Sequence, residues 1–241
     1  MEQIEKIFGL HACISVLNNQ KRKISKILCT KDTLKKIQAK IHNQNSIKNV
    51  KILKRLDLDN EFKTTVHQGI VIFAKKREIL EFKSKINNQK QVLILDSLND
   101  SQNVGSIIRS ANLFGIEYIF FNEKNSFSIN PILIKAASGA YEKVNLIPVK
   151  NLINLIKTLK ENNFWILGLE ASAEKKIAEI DKSLRIATIL GSENKGIRKL
   201  VKENCDFTAK IPILKNDKNI ESLNVSNAAA ILLYELNRHE N

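Results

Sequence analysis

From Gln91 onward the apolar runs VLILD, YIFF, VNLIPV, FWILGL and ATILG alternate with helical patterns such as VGSIIRSANLF and NLINLIKTLK. Strands that read as unbroken apolar runs are buried on both faces, and helices between them supply the cover. The pattern therefore predicts a mostly parallel α/β sheet wrapped on each side. In such sheets ligands gather beyond the carboxyl ends of the strands, which directs attention to the residues that follow each run. No GxGxxG opens any of the helices, which disfavours a dinucleotide dehydrogenase.

The first 90 residues read differently. They hold 20 Lys+Arg against 8 Asp+Glu, a net of +12, whereas residues 91–241 hold 19 against 17, so nearly all of the chain's +14 is concentrated in the first part. Basic residues scattered over solvated faces would spread evenly; concentration on one part suits a binder of phosphate backbone. Lys21, Arg22, Lys23 and Lys26 head the densest stretch and are the first candidates for contact with nucleic acid. Local patterns here predict a small α/β unit. Its parts are a short helix over 11–19, a strand over 24–28, a helix capped by Thr30 or Asp32 and running to Ile41, and a buried strand IVIFA after the turn at His67-Gln68-Gly69. The expected organisation is a first, basic domain at 1–76, a linker at 77–90 with some helix, and a second domain at 91–241.

Cys13, Cys29 and Cys205 are odd in number and lack ligand spacing, so buried thiols are expected rather than a disulfide framework or a metal site. His11, His42, His67 and His239 share no ligand spacing either, and no metal is expected. Trp165 and the Phe120–Phe121 pair fall inside apolar strand patterns and are assigned to the core. No stretch is long and apolar enough for a bilayer span, and the first residues carry acids rather than the basic start of a leader, which predicts a soluble, cytoplasmic protein.

Three segments place polar residues after apolar runs. An ordinary capped helix accounts for the first and a surface turn for the second as well as a site does, and only the third has more polar groups than a cap needs. In SLNDSQNVGSIIRSANLFG, Asn103 and Gly105 open a helix and Arg109 lies six residues beyond Asn103, where an anion near the helix start is within its reach. In ATILGSENKGIRKLV, Gly191 and Gly196 permit close backbone approach while Glu193 offers a carboxylate at the mouth of a buried strand. In IPILKNDKNIESLNVSNAAAILLYEL, Ser222, Asn224 and Ser226 precede an Ala-rich helix. A single cap needs only one of them.

NVGSIIRSANLFG, ILGSENKGIRKLV and IPI…ESLNVSNAAAI, in this order, resemble the three motifs of the SpoU/TrmH branch of the knotted RNA methyltransferases. FGLHACISVL, HQGIV and AASGAYEKV extend the resemblance over nearly the whole chain, toward members that methylate a guanosine ribose of large-subunit ribosomal RNA. The resemblance implies an L30e-like N-terminal domain and a catalytic domain tied in a deep trefoil knot. It also implies a homodimer, and S-adenosylmethionine held largely by backbone groups at Gly191, Ile211 and Leu223. The implied catalytic set is Asn103, Arg109, Glu193, Ser222 and Asn224. A guanidinium stays protonated at neutral pH, so Arg109 is read as a clamp on the target phosphate. Glu193 is read either as orienting Arg109 or as taking the hydroxyl proton through water. A tRNA ribose methyltransferase and a non-catalytic RNA-binding assembly factor are the alternative readings; the latter would predict loss of the motif residues. Three features depart from the family pattern: Asn194 replaces a usual glycine and is expected at positive φ, the stretch between Ile211 and Ser222 is longer and lacks a glycine, and Asn227 stands where a small apolar residue is more usual.

Overall fold

A computed structural model describes residues 3–42, 47–63, 65–79, 81–82, 86–193, 195–214 and 223–238. The chain divides into two compact units, one of residues 1–78 with 129–143 and one of residues 79–128 with 144–241.

The first unit holds a four-stranded sheet in the order β1 (Ile4–Phe8), β4 (Ile70–Lys75), β2 (Ile24–Cys29), β3 (Val50–Ile52), antiparallel except for the β2–β3 pair. Helices α1 (Leu10–Asn18), α2 (Lys31–Gln38) and α3 (Arg55–Glu61) connect these strands. Thr30 caps α2 by accepting the Thr33 N–H at 3.3 Å, as anticipated, although α2 stops at Gln38 short of Ile41. Ile7, Cys13, Ile27, Leu28 and Ile72 lie within its core. The buried His67 is a turn residue: its Nδ1 accepts the Gly69 N–H at 3.1 Å and its Nε2 faces Asp59 at 2.9 Å.

This unit is completed by a segment from the middle of the chain, α5 (Pro131–Ala136) and a 3-10 turn at Ala140–Glu142. Gly139, at φ 93, lets the turn settle on α1; a Cβ there would stand 3.0 Å from Ser15 Cβ and 3.2 Å from the His11 carbonyl oxygen. The remaining attachment is polar and buried. Tyr141 donates its hydroxyl to Glu5 Oε1 at 2.7 Å, Arg22 donates to Glu5 Oε2 at 2.7 Å and lies 3.5 Å from Glu142, and Asn19 donates to Glu142 Oε2 at 2.7 Å. Arg77 bonds the Tyr141 carbonyl and stacks 5.0 Å from the ring centre. The sequence had grouped 129–143 with the second domain. Its packing joins it to the first.

The second unit is a six-stranded sheet, parallel throughout, in the order β10 (Phe207–Ala209), β8 (Trp165–Leu169), β9 (Ile186–Gly191), β5 (Gln91–Asp96), β6 (Tyr118–Asn122), β7 (Asn145–Val149). Helices α4 (Ser101–Leu113), α6 (Leu152–Glu161), α7 (Lys199–Lys202) and α8 (Val225–Asn237) accompany it. This is the expected parallel sheet: Val92 through Leu95, Ile119, Phe120, Ile166, Leu167 and Ile189 are fully buried, each contributing about 1.5–3 kcal/mol. Residues 86–88 form a 3-10 turn, and Phe82 and Ile86 pack into this core, with Phe82 edge-on to Phe120 at 4.8 Å. Arg185 fastens that turn beneath the sheet, donating to the carbonyls of Gln89, Ile86 and Asn162 at 3.0, 2.8 and 2.7 Å. Trp165 departs from expectation. As the first residue of β8 it is 48% exposed and lies against Phe207 at the sheet margin, because the next strand outward, β10, pairs only from Leu167.

Candidate active site

Beyond Gly191 the chain makes a narrow loop closed by Ser192 and Gly196, whose backbones exchange hydrogen bonds at 3.1 and 2.8 Å. A Cβ at Gly191 would stand 2.1 Å from the Gly196 carbonyl carbon, so only glycine fits where β9 enters the loop. Two acids hold the other end. Ile197 donates its N–H to Glu170 Oε1 at 3.2 Å, and Arg198 donates its N–H and Nε to the two oxygens of Asp96 at 3.0 and 2.6 Å. Asp96 is fully buried at the carboxyl end of β5, and Glu170 follows β8, where Lys202 also binds it at 2.7 Å. Neither acid was singled out from sequence. The available signal was an acid ending an apolar run (VLILD, FWILGL-E), since a buried carboxylate requires partners.

The loop borders a cavity of about 340 Å³ at the carboxyl ends of β8 and β9. Gly191, Ile211 and Leu223, the three positions expected to hold a cofactor, all line it, together with Leu190, Ile213 and Val225. Ile211 and Leu223 lie outside helix and strand, and their backbone N–H groups meet no acceptor among the described residues. Apolar walls with unspent backbone donors match an adenosine moiety, which offers a flat ring and acceptor nitrogens.

At the rim, three motif residues from distant parts of the sequence form one polar string. Asn103 donates its amide to Glu193 Oε1, and Asn224 donates its amide to Asn103 Oδ1 at 3.0 Å. Asn224 is also the cap of α8, its Oδ1 accepting the Ser226 and Asn227 N–H groups at 2.9 and 3.4 Å and the Ser226 hydroxyl at 2.6 Å. Asn103 is the third residue of α4 rather than its opening: the helix starts at Ser101 and Asp100 is its cap, accepting the Asn103 N–H at 2.6 Å. The cap sets the first turn of α4, and the first turn sets Asn103.

Arg109 is not part of this string. It is exposed, and neither a hydrogen bond nor an ion pair joins it to Glu193 among the described residues. Ser222, Asn194 and most of the long stretch before Ser222 lie outside the described residues. Of the basic candidates, Lys21, Lys23 and Lys26 are exposed. Arg22 requires correction: its side chain is only 3% exposed and is bound to Glu5 and Glu142, so its charge is spent inside the first unit. Among the described residues no group of three or more His, Cys, Asp or Glu could hold a metal, and no helix is long and apolar enough to cross a membrane.

The SpoU rRNA methylase family model matches residues 90–234, and a model for RNA 2′-O ribose methyltransferase substrate binding matches residues 6–80. The chain belongs to the SpoU rRNA methylase family. It is 35% identical over 246 residues to the 23S rRNA (guanosine-2′-O-)-methyltransferase RlmB of Coxiella burnetii, covering 99% of this chain and 97% of the relative. The fold is shared with two solved structures at low identity. One is the AdoMet-bound rRNA methyltransferase of Sinorhizobium meliloti (TM-score 0.78, 18% identical, covering 97% of this chain and 86% of that one). The other is the SpoU methyltransferase AviRb of Streptomyces viridochromogenes in complex with AdoMet (TM-score 0.77, 15% identical, covering 97% and 89%).

Proposed function

We propose that this SpoU-family protein methylates the 2′-hydroxyl of a guanosine in large-subunit ribosomal RNA, with S-adenosylmethionine as donor. The observation that carries the reading is the Glu193–Asn103–Asn224 string at the rim of a cavity lined by Gly191, Ile211 and Leu223. The similarity to RlmB over nearly the full length of both chains supports the ribosomal guanosine.

S-adenosylmethionine supplies a sulfonium-activated methyl group, so the protein's work is positioning and removal of one proton. Backbone N–H groups at Ile211 and Leu223 would hold the cofactor, and the apolar walls exclude water. Asn103 occupies one oxygen of Glu193 and leaves the other to accept the hydroxyl proton, directly or through water. Arg109, uncommitted in the described residues, clamps the phosphate beside the target ribose and steadies charge developing on its oxygen. Lys21, Lys23 and Lys26 grip RNA from the first unit.

A homodimer in the cytoplasm fits this reading. Leu113 on α4 and Ile231 and Tyr234 on α8 are exposed apolar residues on two helices that pack together, suited to a subunit interface. A trefoil knot in the second unit is consistent with α8 starting beside the 192–196 loop. The test is ribose-methylation mapping of total rRNA and tRNA with and without the gene, joined to methyl transfer in vitro. A missing methyl on a tRNA, or on no RNA, would overturn the ribosomal assignment.

A further inference from the structure

A second cavity, of about 250 Å³, opens at the carboxyl ends of β6 and β7, lined by Asn122, Lys150, Asn151 and Arg198 over an apolar floor that includes Leu152 and Val201. Its lining contains two cations and two amides and no carboxylate. We propose that it is a phosphodiester-binding subsite that holds the RNA strand next to the methylated nucleotide, an inference that rests on the RNA-methylating reading above.

Arg198 is built for this task. Asp96, fully buried, takes its backbone N–H and its Nε, which fixes the guanidinium while the side chain stays 46% exposed. The two terminal nitrogens meet no acceptor among the described residues. A planar fork already oriented loses little freedom when it binds a phosphate, and its geometry matches two phosphate oxygens. The charge of Asp96 is answered by Arg198 itself and by the Ser97 hydroxyl, which donates at 3.1 Å, so it does not cancel Lys150. Lys150 is exposed and has no acceptor among the described residues. Asn122 is 9% exposed; its oxygen accepts the Lys124 N–H at 3.3 Å, which leaves its amide nitrogen as a further donor.

Position identifies the ligand. Arg198 follows Glu193 by five residues, at most about 18 Å of extended chain, and a nucleic-acid strand presents several phosphates over such a distance. The loop 192–197 therefore has the reacting carboxylate on one flank and the anion-binding cavity at its other end. Asp96 and Glu170 hold it in that arrangement.

The test uses the full-length chain and a transcribed large-subunit rRNA fragment, with binding measured across about 50 to 200 mM salt. Lys150→Gln is expected to raise the RNA dissociation constant severalfold and to flatten the log-affinity against log-salt slope by about 0.7–0.9, with adenosylmethionine affinity within twofold of wild type. Arg198→Gln should flatten the slope at least as much; because it also removes the Nε contact to Asp96 that steadies the 192–197 loop, only its salt slope is read. Lys157→Gln, exposed on α6 outside the cavity, should keep the wild-type slope. A wild-type slope for Lys150→Gln, or equal flattening by Lys157→Gln, would overturn the subsite. Should Arg198→Gln fail to fold, the two lysine variants decide alone. Failure of the wild type to methylate any RNA would count against the proposed function, whereas the comparison of slopes would still judge the cavity.

Discussion

Tyr141 donates a 2.7 Å hydrogen bond to Glu5, a carboxylate 136 positions earlier in the chain. With Arg22 bound to the other oxygen of Glu5, this contact fastens residues 129–143 into the N-terminal unit through buried charge. Burial holds the Tyr141 phenol above its ordinary range, and the charge of Glu5 adds to the effect.

Removing Arg22 therefore strands two buried carboxylates. Arg22→Ala is expected to lower stability by about 3–5 kcal/mol, whereas Lys21→Ala and Lys23→Ala should stay within about 0.5 kcal/mol. Urea unfolding measures both. Equal stability for all three variants would contradict the ion-pair assignment.

Deleting residues 1–78 should leave a poorly soluble protein, because Leu133, Ile134, Ala137 and Tyr141 would lose the surface that buries them. Replacing 129–143 with a short Gly-Ser linker in the same deletion should restore solubility. Dye binding and sedimentation distinguish the two fragments, and a soluble first fragment would refute the packing argument.

Glu193→Gln and Asn103→Ala should each reduce methyl transfer by at least about 100-fold, a loss within the range attributed to proton transfer, while melting temperature changes by no more than a few degrees. Both side chains lie at the rim and fill no core volume. Rates within about threefold of wild type at saturating RNA would remove them from the site.

Gly191→Ala places a methyl group against the Gly196 backbone. The neighbour is main chain closed by two hydrogen bonds, so it cannot rotate aside. A loss of about 1–3 kcal/mol is expected, together with weaker adenosylmethionine binding, read by calorimetry.

Cys205 is pushed up to about 11, mainly by burial and further by Asp206. A raised pKa favours the neutral thiol in the folded state. The stability it contributes is therefore complete below the unfolded value near 9 and is lost as pH rises through about 11. At pH 8 the folded protein should resist iodoacetamide at Cys205 and react once unfolded, as mass spectrometry would show.

The parallel strands were legible because each is buried on both faces and so appears as an apolar run. The edge strand β1, IEKIF, has two adjacent charges between its apolar residues and so neither alternates nor runs unbroken, and β3 is only three residues long. The fate of Arg22 was illegible for a different reason: within KRK no local pattern separates it from its lysine neighbours, because its partners Glu5 and Glu142 are distant in sequence. The motif residues were legible through the family pattern. Asp96 and Glu170 were missed because their role is to hold backbone N–H groups of another segment, which no local pattern records.

The late position of residues 129–143 also orders events during synthesis. The N-terminal unit cannot complete its buried charge cluster when residue 78 emerges from the ribosome. Glu5 and Arg22 must wait for Tyr141 and Glu142, which at about 5–20 residues per second follow several seconds later. By then β5 and β6 have already been made, so the last piece of the first unit is synthesised only after the first two strands of the second.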